Sequence, residues 1–346
     1  MKTKKFSPAN GWIAFSLFLI ALLNDSCSPL PRQSHHMTVS GPVKTGKKAF
    51  WLSHEHILVD FVGAGLISRE RWNVDSVMVT MLPYLRELPA KGVRFFVDAT
   101  PYYLGRDIVL LQKMAEASGL QIITNTGLYG AVQNKYLPAY VNELPAERLA
   151  DQWTEEFEKG IEGSEVKPGF IKISVDAKDT LHPLHQKLVK AAALTHLRTG
   201  LTIASHTGEA RGLWPQLDIL KQEGVSPGAF IWVHAQNEKD PENYVRAARE
   251  GCWISLDGLG WALDPYLEKL VFAKKNDILH RMLISHDAGW YDPAKPVQNV
   301  QPYTRIFDEL IPGLRSRGFS KKEIHGLLSR NPALAFSIRV LRKERK

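Results

Sequence analysis

The feature that most constrains the fold is an alternation that begins near residue 46 and runs almost to the C-terminus. Short runs rich in branched and aromatic residues recur as AFWLSHEHILVD, VRFFVDAT, LQIITNTG, GFIKISVD, LTIASHTG, FIWVHAQN, CWISLDGLG and RMLISHDAGW. Such runs read as strands. Between them lie segments with helical spacing, among them SVMVTMLPYLRELPAKG, DIVLLQKMAEASG, LHQKLVKAAALTHLRTG and ENYVRAAREG, several closed by the glycine that usually stops a helix. Pro83 in the first of these predicts a kink or a split, because proline removes a backbone donor. Strand–helix alternation implies a parallel α/β sheet covered by helices, and eight strands is the number that closes a (β/α)8 TIM barrel. An open doubly wound sheet is the rival. The chain has no G-x-G-x-x-G after its first strand, which weakens that rival's nucleotide-binding version.

Each run finishes on polar residues: His54 and His56, Asp98, Asn125, Lys172, His206, His234, Asp257 and Asp287. In a barrel that edge carries the active site, so residues distant in sequence are expected to converge there. Side chains alternate along a strand. If His54 and His56 face inward, Glu55 faces the helices and is no ligand. If Asp287 faces inward, His286 faces outward. The same reading turns Lys172, His206, His234 and Asp257 inward. Each residue alone has an ordinary explanation: a hydrogen-bonded core histidine, a turn-capping Asp287, a Lys172 that snorkels or pairs with a carboxylate. Four histidines, a lysine and an aspartate together are too many polar groups for an inert core.

Imidazole and carboxylate suit a divalent metal at the C-terminal ends of the strands, Zn²⁺ first, with Mn²⁺, Co²⁺ or Fe²⁺ as related choices that residue type does not separate. Lys172 is the informative oddity, since an ammonium cannot ligate and would repel two divalent ions in a dry pocket. It must be deprotonated, moved aside or chemically modified. Carboxylation by CO₂ would make it an anionic carbamate able to bridge two metals.

SHEHILVD, GFIKISVD, ASHTGEA, IWVHAQNE, LISHDAGW and SRNPALAF together resemble the phosphotriesterase-like family of the amidohydrolase superfamily, which includes lactonases. The resemblance covers nearly all of the chain after about residue 45. It implies a binuclear centre in which His54, His56 and Asp287 hold the more buried ion and His206 and His234 the more exposed one. Carboxylated Lys172 and a hydroxide would bridge them, and Asp257 would orient a ligand or relay a proton. One departure is visible: the acidic residues often found shortly after the sixth-strand histidine are Gln236 and Asn237 here, with Glu238 next. That puts in doubt a proton relay through this loop. A homodimer is also implied by the resemblance alone.

Ahead of the alternation, MKTKK precedes the apolar run WIAFSLFLIALL from Trp12 to Leu23. Twelve residues match a secretion signal and fall short of the roughly 20 a membrane-spanning helix needs. Residues 1–26 therefore read as a signal peptide, and Ser26–Cys27 resembles a bacterial lipoprotein cleavage site with Cys27 as the lipidated residue, although Asn24 stands where a branched apolar residue is usual. Ordinary cleavage, giving a soluble exported protein, is the alternative. Residues 27–45, rich in Pro, Ser, Gly and His, read as a tether, and 46–346 as the hydrolase barrel. The expected location is a bacterial envelope, periplasmic or membrane-anchored, with membrane contact only through that lipid. Cys252, in an apolar run, reads as a core residue. The net charge of +8 falls to +6 once Lys2, Lys4, Lys5 and Asp25 leave with the signal, and no basic block interleaved with aromatics follows, which argues against nucleic-acid binding.

The expected function is hydrolysis of an ester bond in a lactone, carboxylic ester or phosphotriester, with Asp287 and Lys172 in catalytic roles. Tyr102, Tyr103, Tyr129, Tyr136, Trp261, Trp290 and Tyr291 sit in the loops after the strands, where aromatic walls would shape a substrate site or simply pack the loops. A non-catalytic, envelope-tethered binding protein on the same scaffold is the alternative. A missing ligand would favour it, and every ligand position is filled.

Overall fold

The computed structural model describes residues 1, 35–44, 46, 49–259 and 262–343. The expected signal peptide, Cys27 and Trp261 lie outside the described residues. The compact unit spans Gln33–Lys346.

It begins with a correction. Residues 35–44, expected as tether, form an antiparallel hairpin of β1 (His35–Thr38) and β2 (Gly41–Lys44). The cause is tertiary: His36 Nδ1 bonds Phe336 O at 3.1 Å, its ring packs edge-on to Trp51, and Val39 N–H donates to Ile122 O. The polar composition hid a strand pair with one buried face.

The strands that follow are β3 (Phe50–Leu58), β4 (Val93–Asp98), β5 (Gln121–Ile123), β6 (Asn125–Thr126), β7 (Phe170–Ser174), β8 (Thr202–His206), β9 (Phe230–Val233), β10 (Trp253–Leu256), β11 (Met282–Ile284) and β12 (Gly289–Tyr291). All pair in parallel, in the orders β12-β3-β4-β5 and β6-β7-β8-β9-β10-β11. β5 and β6 are parted by Thr124 alone, and β11 and β12 by residues 285–288. This is an α/β fold of parallel strands consistent with a TIM barrel. The intervening helices include α1 (Val74–Arg86), α2 (Ile108–Ser118), the short α3 (Tyr140–Glu143), α4 (Ala146–Lys159), α5 (Pro183–Thr199), α6 (Ala210–Gln222), α7 (Glu242–Arg249) and α8 (Asp264–Lys275).

Local chemistry sets the helix limits. The Asp107 side chain caps α2 by accepting from Leu110 N, and Gly119 ends it in the left-handed region at φ 76°. Of the expected kink or split at Pro83, the split does not occur: α1 runs through it as one helix. Val79, whose carbonyl loses its donor to Pro83, is exposed, and water can replace the bond.

Two apolar layers hold the fold. The larger lies between strands and helices and takes residues such as Leu52, Ile57, Phe96, Ile173 and Trp232. The smaller takes the opposite strand faces near their starts: Trp51, Phe95, Phe170, Ala204, Ile231, Trp253 and Leu283. Each fully buried Leu, Ile or Phe contributes about 1.5–3 kcal/mol. On β3 the phase changes: Trp51 and His54 share a face three residues apart, and the pairing with β4 slips between Leu52 and Glu55. That irregularity turns the histidines inward without exposing Trp51.

Candidate metal centre

The strand ends bring the expected ligands together. Asp287 Oδ1 lies 3.1 Å from His56 Nε2 and 3.6 Å from His54 Nε2, and Asp287 Oδ2 lies 3.9 Å from His234 Nδ1. The rings of His206 and His234 meet edge to face at 4.2 Å, and those of His54 and His234 are 5.2 Å apart. Two donors bound to one tetrahedral Zn²⁺ sit roughly 3.3 Å apart, given bonds of about 2.0–2.1 Å. Among the described residues, ligand atoms of His54, His234 and Asp287 all fall within 4.8 Å of one another, a cluster able to hold a metal ion. Among the described residues the buried Asp287 Oδ1 finds no hydrogen bond of good geometry, even beside His56. A buried carboxylate oxygen left in this state is costly unless a cation completes it, so the donor set fits a metal.

Backbone strain aims two of these groups. β9 sends Ile231 and Val233 inward, so simple alternation would turn His234 toward the helices. Instead His234 adopts φ 60°, ψ 33° just past the strand, and that left-handed turn brings the ring to the site. Asp287 also lies past its strand, at φ 54°. Such conformations are costly for residues with a Cβ and gather at functional sites.

The electrostatics favour the ligating forms of His54, His206 and Asp287. Burial, together with Lys172 and the other site histidines, holds the His54 and His206 imidazoles well below their usual value, so both stay neutral. Burial works against protonating His234 too, but Asp257 and Asp287 outweigh it and raise its pKa. Burial would raise the Asp287 carboxyl; His56, His234 and Lys172 overcome it and hold it low, as a carboxylate. Burial pushes Lys172 down to about 8, against the pull of Asp257, Asp287 and Asp98.

Partners orient the ligands. His56 Nδ1–H donates to Thr100 Oγ1 at 2.7 Å, since that hydroxyl donates onward to Leu58 O, and this leaves His56 Nε2 facing Asp287. Asp257 accepts from His234 Nδ1 at 2.6 Å and lies 3.7 Å from His54 Nδ1. Gln236, at a position where acids are often found, takes the Asp257 N–H, and Glu238 caps the start of α6 through Ala210 N. Tyr129 Oη sits 3.0 Å from His206 Nδ1. Glu55 faces away from the ligands, as alternation predicts, and bonds His286.

The cleft over these groups is lined by Tyr129, Tyr136 and Trp290, and by Val59, Phe61 and Leu104, which sequence reasoning missed. Val59 and Phe61 follow just after β3 in a largely apolar stretch and Leu104 ends a short 3-10 turn, so nothing in their sequence surroundings set them apart. Tyr102 is exposed, meets Tyr103 edge to face and carries Arg106 over its ring, while its neighbours Pro101 and Leu104 line the cleft. A second opening reaches His206, His234 and Asp287 past Gln236, Asn237 and Lys269.

The fold and site define a parallel α/β protein with a His/His/Asp cluster for metal at its C-terminal strand edge. The phosphotriesterase family model matches residues 34–336, and the chain belongs to that family. It is 29% identical over 319 residues to a phosphotriesterase homology protein of Mycobacterium tuberculosis, covering 86% of this chain and 96% of that one. Identity to the aryldialkylphosphatase of Saccharolobus solfataricus is 29% over 307 residues, covering 83% and 95%. Identity to the mouse N-acetyltaurine hydrolase is 22% over 324 residues, covering 88% and 87%.

Proposed function

We propose that the chain is a (β/α)8-barrel hydrolase with a binuclear metal centre, cleaving an ester bond of a lactone, carboxylic ester or phosphotriester. The observation that carries this reading is the convergence of His54, His56, His206, His234, Lys172 and Asp287 on one cleft, with Asp287 Oδ1 buried and lacking a hydrogen bond among the described residues. His54, His56 and Asp287 would hold one ion, His206 and His234 the other, with Lys172 between them as a carbamate. Zn²⁺ is the first candidate, with Mn²⁺, Co²⁺ or Fe²⁺ as alternatives.

When bound, such ions lower the pKa of water and polarise the P=O or C=O oxygen of the substrate. The residues do the rest. Asp287, ionised and buried, accepts the proton released as the nucleophile forms its new bond and passes it toward the leaving group. His234 beside it, its Nδ1 hydrogen given to Asp257, is held in place as a ligand and takes no part in that transfer. Lys172, with a pKa near 8, exposes a neutral amine often enough to react with CO₂. Tyr129, Tyr136, Trp290 and Phe61 exclude water and seat an apolar substituent. Two of the three named relatives, the aryldialkylphosphatase and the N-acetyltaurine hydrolase, bear the names of different hydrolytic activities, which supports hydrolysis as the shared chemistry and leaves substrate choice to the loops. Export and lipidation at Cys27 remain our inference from the N-terminal sequence.

Metal content per chain of protein purified without chelator tests the reading, followed by a lactone and ester screen. About two divalent ions per chain, lost in His54→Ala, is the expected result. No metal after incubation with zinc or manganese and bicarbonate would leave the non-catalytic binding protein as the better account.

A further inference from the structure

Behind the ligands, on the helix-facing side of β3, lies a carboxylate that the chemistry above leaves unused. Glu55 is fully buried, and its two oxygens collect four donors from one short stretch of chain. Oε1 accepts from Ser285 Oγ at 2.7 Å, His286 N at 3.0 Å and His286 Nδ1 at 2.7 Å; Oε2 accepts from Ala288 N at 3.0 Å. Asp287 is the one residue of 285–288 that gives Glu55 nothing. Its backbone N–H goes to His54 O, and its side chain goes to the metal cluster.

The same bonds reach the ligands of the first strand. Ser285 Oγ, while donating to Glu55, accepts from His54 N at 3.0 Å. His286 Nε2 accepts from Ile306 N at 3.0 Å, so the ring hydrogen sits on Nδ1 and points at Glu55. Nearby, Tyr303 Oη donates to His56 O at 2.7 Å, and Gly289, at φ 94°, lies where any Cβ would strike both His56 O and that hydroxyl. The returning segment therefore clamps 285–289 onto β3 from behind.

Among the described residues four donors and no acceptor meet Glu55, which only a carboxylate can satisfy with both of its oxygens. We propose that Glu55 is the positioning residue of the metal centre: it holds Asp287 in its left-handed conformation and ties it to His54, so that the ligating carboxylate is aimed before any ion arrives. The inference rests on the metal reading given above. Glutamine at this position keeps the size but turns an N–H₂ toward either Ala288 N or the Oε1 donors. The loop must then move, and Asp287 moves with it.

The test compares parent and Glu55→Gln proteins for zinc affinity by competition with a chelator, and for the visible absorption of their cobalt(II) forms, which reports coordination geometry independently of turnover. The expected result is affinity weaker by about 10–100-fold, a changed cobalt spectrum, and a larger loss in kcat than change in KM. A variant with parent-like affinity and spectrum, and only a lowered melting temperature, would make Glu55 a fold-stabilising group and overturn the proposal. If Glu55→Gln yields no soluble protein, Ser285→Ala carries the test: it removes one donor and the link to His54, and unchanged affinity there would equally overturn it. A parent protein that binds no metal would overturn the functional reading and this inference together.

Discussion

His234 donates its Nδ1 proton to Asp257 Oδ1 across 2.6 Å, and its backbone N–H points at the other oxygen of the same carboxylate, 3.2 Å away. One side chain thus fixes both the ring and the left-handed backbone of a ligand that its strand would have turned the wrong way. Asp257→Asn keeps the shape and weakens that hold. Metal affinity should fall by about 10–100-fold, measured by chelator competition, with far-UV circular dichroism unchanged.

Asp287 combines ligation with proton acceptance. Asp287→Asn should lower turnover by about 10²–10⁴-fold while the protein keeps its fold, read from steady-state rates beside circular dichroism. Turnover equal to the parent's would remove Asp287 from the chemistry.

Lys172 gives a test by rescue. Lys172→Ala should lose bound metal and activity, and millimolar acetate or propionate should restore part of both by supplying the missing carboxylate. Metal content before and after addition is the measurement. Loss without any rescue would count against the carbamate.

The buried hairpin predicts a pH effect far from the site. Burial pushes His36 down from 6.5 to about 4. Between these values the unfolded chain binds a proton that the folded chain refuses, so stability is lost as pH falls from about 6.5 toward 4, by roughly 3 kcal/mol over the window. His36→Asn retains a donor for Phe336 O and cannot titrate. Its melting temperature should fall less steeply over this range than the parent's.

Much of this was legible because strand chemistry is local. Branched and aromatic runs ending in His206, Lys172 or Asp257 announce both the strand and the direction of its last side chain, and the polar ends of eight such runs point to one edge. His234 reached the site by a route alternation does not contain: a positive φ fixed by Asp257, a partner 23 residues away. The hairpin escaped notice because His36 and Val39 are buried by residues far along the chain, and composition cannot report a distant cover. The direction of Tyr102 was illegible for a related reason, since it depends on the loop carrying Arg106. Glu55 was placed on the correct face by alternation, but nothing local signals that four donors from residues 285–288 meet there.

The hairpin sits at the starts of the strands, against Trp51, Phe95 and Phe336, and the ligands sit at their ends. The described body thus begins, at His35, beside the strand starts, and loosening of the hairpin would uncover the packing of Trp51, Phe95 and Phe336 well before it reached the ligands.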